Sequence, residues 1–128
     1  MKPVRDATVL LDYLDDHAEA IGGQSRGIEY LCAGQRHVYW HLSRGTVVDV
    51  GWNRTHGNYA IIRRRLRQHF LCRLGDVVVK PGDKVRRNVC IGTVALPGEL
   101  ANYPSLYYEV RRYPYGPGEA VNPERYVK

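Results

Sequence analysis

A chain of 128 residues, 44% hydrophobic and 25% charged, is long enough to be one domain with a buried core, and its composition excludes a disordered or fibrous protein. The formal net charge of +6 is carried mostly by arginine, with a run at Arg63, Arg64, Arg65 and Arg67. Such a balance suits an anionic partner without choosing among them, and a solvated strand with arginine stems over apolar neighbours is the plainer alternative.

From the N-terminus, Val9, Leu10, Tyr13, Leu14 and His17 recur at helical spacing. They predict a short helix over Asp6 to Ala20, with Asp6 as cap and Gly22-Gly23 closing it. A strand over ATVLLDYL is the competing assignment. The opening MKPVRDATVLLDYLDD is not signal-peptide-like, because acidic residues interrupt its apolar part, so the chain as given carries no export signal. No apolar run approaches the roughly 18 residues of a membrane-spanning helix.

After Gly27 the texture changes to short β-branched or aromatic runs separated by glycine: GIEYLC, HVYWHL, GTVVDVGW, GNYAIIRR, HFLCRL, DVVV, CIGTVAL and SLYYEVRR. Turns are expected at Gly34, Gly45, Thr55-His56-Gly57-Asn58, Gly75-Asp76 and Pro81-Gly82-Asp83. The fold class that follows is all-β, a mostly antiparallel β-sandwich or small barrel with a short N-terminal helix. In SLYYEVRR, Ser105, Tyr107 and Glu109 alternate with Leu106, Tyr108 and Val110, which gives one polar and one apolar face. Cys32, Cys72 and Cys90 form no C-x-x-C pair and imply no disulfide framework; Cys72 and Cys90 read as buried thiols.

The order of GTVVDVGWNRTHGNYAIIRR, HFLCRLGDVVVKPGDKVRRNVCIGTV and SLYYEVRRYPYGPGEAVNP resembles the M23 family of zinc metallopeptidases. Its lysostaphin-like or LytM-type domains cut peptide cross-bridges in bacterial cell walls. The resemblance implies a β-sandwich of the duplicated hybrid motif type, with a groove on one sheet. It divides the chain into an N-terminal extension, 1–24, and an M23-like domain, 25–128.

Carried over position by position, the family's ligand histidine and aspartate fall on Ser25 and Glu29, and its third metal ligand falls on Tyr107. Its two catalytic histidines fall on Arg73 and Ser105. Catalytic zinc needs about three protein donors with one open position, and of these residues only Glu29 is a good ligand. Losing two ligands removes most of a binding free energy of order 10 kcal/mol. Arg73 adds a permanent positive charge beside the groove. No catalytic residue and no metal is therefore expected, and zinc is expected to be absent.

The expected binding groove is lined by Ser25, Glu29, His69, Arg73, Ser105, Tyr107 and Glu109, with His69 the one stray histidine on the groove side. Cys72 alternates away from Arg73 and should face the core. His37 and His41 share a strand face about 13 Å apart, too far to chelate one ion.

Three functions compete. The first is an inactive M23-like pseudopeptidase that binds a cell-wall peptide or a protein partner such as a cell-wall hydrolase, in peptidoglycan metabolism or an envelope assembly. The second is a non-enzymatic basic adaptor that holds an anionic polymer, or joins a larger complex, through the Arg63–Arg67 strand with Arg63, Arg65 and Arg67; nucleic acid is not favoured, since no RNA-binding aromatic signature or helix-turn-helix is present. The third is a residual zinc metalloendopeptidase. The resemblance points to the cell envelope.

Overall fold

Strands form where alternate side chains in these runs can be buried against one another. The computed structural model describes residues 1–16, 23–32, 36–97 and 103–128. Among them are β1 (Thr8–Leu11), β2 (Ile28–Leu31), β3 (His37–Tyr39), β4 (Gly45–Asn53), β5 (Gly57–Arg64), β6 (Arg67–Val77), β7 (Lys84–Val85), β8 (Cys90–Val94), β9 (Ser105–Arg112) and β10 (Ala120–Val121). The main order is β1-β2-β9-β6-β5-β4-β7; β10 joins β9, and β3 pairs with β8, which hangs from the end of β6. Every pairing is antiparallel. The all-β expectation holds, and no described helix is long and apolar enough to cross a membrane.

Among the described residues the N-terminal helix is not seen. Thr8 pairs with Leu31 and Val9 with Tyr30, so the competing strand assignment is the one that forms. β1 buries little, with Val9 and Leu10 both substantially exposed. Its hold is the backbone ladder to the otherwise open edge of β2, and this outweighs a weak helical period. Asp6 takes a left-handed φ of 57° before the strand instead of capping a helix. His17, Ala20 and Gly22 lie outside the described residues, as does the turn expected at Gly34.

Two other expected turns need correction. Gly75-Asp76 is not a turn, because β6 runs on to Val77 and pairs there with Gly92 of β8. Gly45 opens β4, at a point where a Cβ would come within 2.7 Å of Ile62 Cγ2. The Pro81-Gly82 turn does form: Gly82 has φ 94°, and the Asp83 N–H donates to Lys80 O at 3.1 Å, as a type II turn requires.

The core lies on one side of the main sheet, where Tyr30, Ile62, Leu71, Leu106 and Tyr108 meet Trp40 from the segment after β3. Each such side chain contributes about 1.5–3 kcal/mol by leaving water. His41 and His69 are buried among them. The Tyr108 hydroxyl lies 3.1 Å from His41 Nε2 and 2.6 Å from His69 Nδ1, so it donates to one ring and accepts from the other. Among the described residues, His41 Nδ1 and His69 Nε2 find no hydrogen-bond partner. Burial lowers both imidazoles to a pKa of about 3.

Candidate functional site

Registered pairs share a sheet face, and a row of them defines the outer face of the main sheet. Glu29 pairs with Tyr107, Tyr107 with Cys72, Cys72 with Tyr59, and Tyr59 with Gly51. The next row along runs Glu109, Phe70, Ile61 and Asp49. A bulge in β6 breaks the alternation, since Asn58 pairs with Leu74 but Tyr59 with Cys72, leaving Arg73 as the extra residue. Arg73 has φ 67°, a left-handed conformation uncommon outside glycine, asparagine and aspartate.

This bulge corrects two expectations. Cys72 faces the groove side as the register partner of Tyr107, and burial raises its thiol pKa well above the usual range, so it stays protonated. His69 points to the core with Leu71 and is not a groove residue. Counting by twos from Arg73 carries both to the wrong face, because the bulge inserts one residue that has no place in the alternation.

Of the other residues expected there, the structure joins Arg73 to Glu29 and Ser105, and Tyr107 to Glu109. Arg73 Nη1 lies 3.0 Å from Glu29 Oε1 and donates to Ser105 Oγ at 3.1 Å. Tyr103 donates its hydroxyl to the same Glu29 oxygen at 3.0 Å. The Arg73 side chain is 22% exposed and Glu29 9%, so the pair lies at the groove wall and is partly screened. Deeper in, the Tyr107 hydroxyl donates to Glu109 Oε1 at 2.6 Å, and Arg111 Nε holds the other Glu109 oxygen. The Arg111 guanidinium lies 4.1 Å from the Phe70 ring centre and donates from Nη1 to Tyr115 O. His56 stacks on Tyr107 with ring centres 6.1 Å apart, and burial lowers its pKa.

Ser25 is buried and donates to Gly27 O at 2.8 Å. Gly27 must be glycine here, because a Cβ would run into the backbone carbonyl oxygen of Tyr108 as well as the Tyr107 ring. Four contributors to this wall, His56, Tyr103, Cys72 and Arg111, were not among the expected groove residues. Arg111 was legible, since it continues the alternation Ser105, Tyr107, Glu109. His56 comes from the β4–β5 turn and Tyr103 from ahead of β9, and neither carries a local signal of its destination.

The basic run divides. Arg63 and Arg65 line a cleft of about 780 Å³ with Arg44, Arg64, Lys84 and Arg86, whereas Arg67 is not part of it. Arg67 instead donates to the neighbouring Leu66 O at 3.3 Å.

A family model described as peptidase family M23 matches residues 23–123. The chain belongs to this family. Its fold is similar to that of the catalytic domain of the antimicrobial peptidase lysostaphin from Staphylococcus simulans, with TM-score 0.82, 19% identity, and 94% of this chain and 92% of that one covered. A variant of the catalytic domain of the prophage-encoded M23 protein EnpA from Enterococcus faecalis matches with TM-score 0.73 and 22% identity, over 94% of this chain and 91% of that one. A chain of the SpoIIQ–SpoIIIAH pore forming complex matches with TM-score 0.73 and 20% identity, over 100% of this chain and 90% of that one. Among curated protein sequences none matches significantly.

M23 peptidases are zinc enzymes, and the residues expected at the family's ligand positions, Ser25, Glu29 and Tyr107, are each engaged in other contacts. The Ser25 hydroxyl is taken up by Gly27 O, and the near oxygen of Glu29 by Arg73 and Tyr103. Burial, and then the Glu109 carboxylate, push the Tyr107 phenol far above its ordinary pKa, so it offers no phenolate. Among the described residues no group of three or more histidine, cysteine, aspartate or glutamate side chains is placed to hold a metal.

Proposed function

We propose that this M23 domain is a non-catalytic binding module whose groove holds a peptide, either a cell-wall peptide or a segment of a protein partner such as a cell-wall hydrolase. Its setting is bacterial cell-wall metabolism or an envelope assembly. The observation that carries this reading is the Arg73 guanidinium held between Glu29 and Ser105. A dication brought to Glu29 would meet this fixed positive charge, with neutral serine and tyrosine as its other neighbours. Without a metal, no group in the groove lowers the pKa of water towards about 7.

The same arrangement suits recognition. Arg73 offers planar donors to a carboxylate, Glu29 an acceptor to an ammonium group, and the Tyr107–His56 stack a flat apolar face. Lysostaphin's description as a peptidase supports peptide as the ligand class, and the two-protein complex containing SpoIIQ supports a protein as partner.

The test has two arms on the purified chain. Metal content after dialysis against zinc is expected to be well below one per chain, with no cleavage of cross-linked peptidoglycan. One tightly held zinc with chelator-sensitive cleavage would instead establish the residual metalloendopeptidase. In the second arm, Arg73→Ala and Tyr107→Ala are expected to weaken peptidoglycan-fragment or partner binding at least tenfold. Unchanged binding in both, with the fold intact by circular dichroism, overturns the groove as the site.

A further inference from the structure

The cleft lined by Arg44, Arg63, Arg64, Arg65, Lys84 and Arg86 is separate from the groove. It forms where the ends of β4 and β5 meet β7. Thr46 pairs with both Arg63 and Lys84, so these three form one row across the outer face of the sheet. Arg63 is four residues along β5 from Tyr59 of the groove row, about 13 Å at strand rise.

Its charge is uncompensated. Among the described residues the ion pairs involve Arg73, Lys80, Arg111, Arg112 and Lys128, and none of the six cleft cations. Among the described residues no acidic side chain lines the cleft. Arg64 donates from Nε to Ser43 Oγ at 2.9 Å and Lys84 from Nζ to Thr46 Oγ1 at 3.1 Å, which orients both and leaves their other donors open. Arg65 is held at φ 57°, at the tip of the β5–β6 hairpin. Like charges gathered around a concavity reinforce one another's potential and draw anions in.

We propose that this cleft is a binding site for a ligand carrying several phosphate groups. Five of its six cations are arginine, whose planar fork matches phosphate oxygens in pairs. The volume is that of a small-ligand site. Among the described residues no aromatic side chain lines it, and aromatic stacking platforms are what proteins use to hold single-stranded nucleic acid. The proposal is independent of the groove and of what the groove binds.

The experiment titrates the full chain with sodium tripolyphosphate by calorimetry, and with vesicles of phosphatidylglycerol by co-sedimentation. The variants are Arg63→Ala/Lys84→Ala and, as a charge-matched control at other surface positions, Arg36→Ala/Arg54→Ala. Saturable tripolyphosphate binding at one per chain, weakened at least tenfold in the cleft variant and less than twofold in the control, supports a soluble phosphate ligand. Vesicle binding with the same dependence, and none to tripolyphosphate, supports phosphates presented on a surface. Equal loss in both variants, preference for polyglutamate at equal charge, or no binding to either probe overturns the proposal.

Discussion

The groove and the cleft both gather arginines, and they treat them in opposite ways. In the groove, Arg73 and Arg111 each meet a carboxylate, Glu29 or Glu109, and each is further fixed by a neighbour, Ser105 or Tyr115. In the cleft, six cations share one concavity with no carboxylate partner among the described residues. Pairing consumes charge to shape a surface, while crowding like charges keeps it available for a partner from outside. Net charge alone cannot tell these apart, which is why a formal charge of +6 reads only as permission.

The sharpest way to break the contrast is to unpair the groove. Glu109 is buried and holds both Arg111 and Tyr107, so Glu109→Ala strands a buried guanidinium. A loss of about 3–5 kcal/mol is expected in urea denaturation. Glu109→Gln, which keeps an acceptor, should lose distinctly less. A loss under about 1 kcal/mol for Glu109→Ala would show that the pairing does not shape the groove.

Acid separates both surfaces from the core beneath them. His41 and His69 have folded pKa values of about 3 against an ordinary 6.5, so the unfolded chain binds more protons between those limits. Their stabilising neutrality is complete above about pH 6.5 and is lost as pH falls towards 3, at about 1.4 kcal/mol per pH unit for each. Going from pH 6 to 5 should therefore remove about 2–3 kcal/mol, read as a fall in denaturation midpoint. His69→Gln should flatten the profile by about half, and an unchanged profile would mean that the imidazoles reach water.

Smaller effects follow at the groove wall and the cleft. Arg73→Ala removes the cation from Glu29, which keeps the Tyr103 hydroxyl, and should cost about 1–2 kcal/mol by thermal unfolding, reduced by partial exposure. Arg63→Ala with Lys84→Ala should change stability by less than about 0.5 kcal/mol, with its effect shrinking as salt screens the repulsion. If that pair instead destabilises more than Arg73→Ala, the cleft is structural and the contrast fails.

The strands were legible because their alternation is strong, and SLYYEVRR displays its two faces without help. The polar face also carried the essentials of the groove, since Ser105, Tyr107 and Glu109 needed only parity. What the chain did not disclose lies where parity breaks or where distant segments meet. The bulge at Arg73 exchanged the faces expected for Cys72 and His69, and no local residue announces it, because arginine is an uncommon occupant of a left-handed position. β1 failed for another reason: its period suited a helix, but the open edge of β2 supplied hydrogen-bond partners that period does not record. The cleft gathers Arg44, Lys84 and Arg86 from elements well separated from the arginine run in sequence.

Arg73 also ties segments together through its backbone. Its N–H donates to His56 O at 2.8 Å, and its carbonyl accepts from the Ala95 N–H at 3.0 Å, while its side chain reaches Glu29 and Ser105. The β4–β5 turn, the bulge, the segment after β8 and the starts of β2 and β9 therefore meet at one residue. Amide exchange at Arg73 and Ala95 should then share one opening free energy, the mark of a single cooperative unit. Truncating the side chain removes two of the four ties and leaves the amide clamp, so the rim should breathe faster while its geometry on average stays in place.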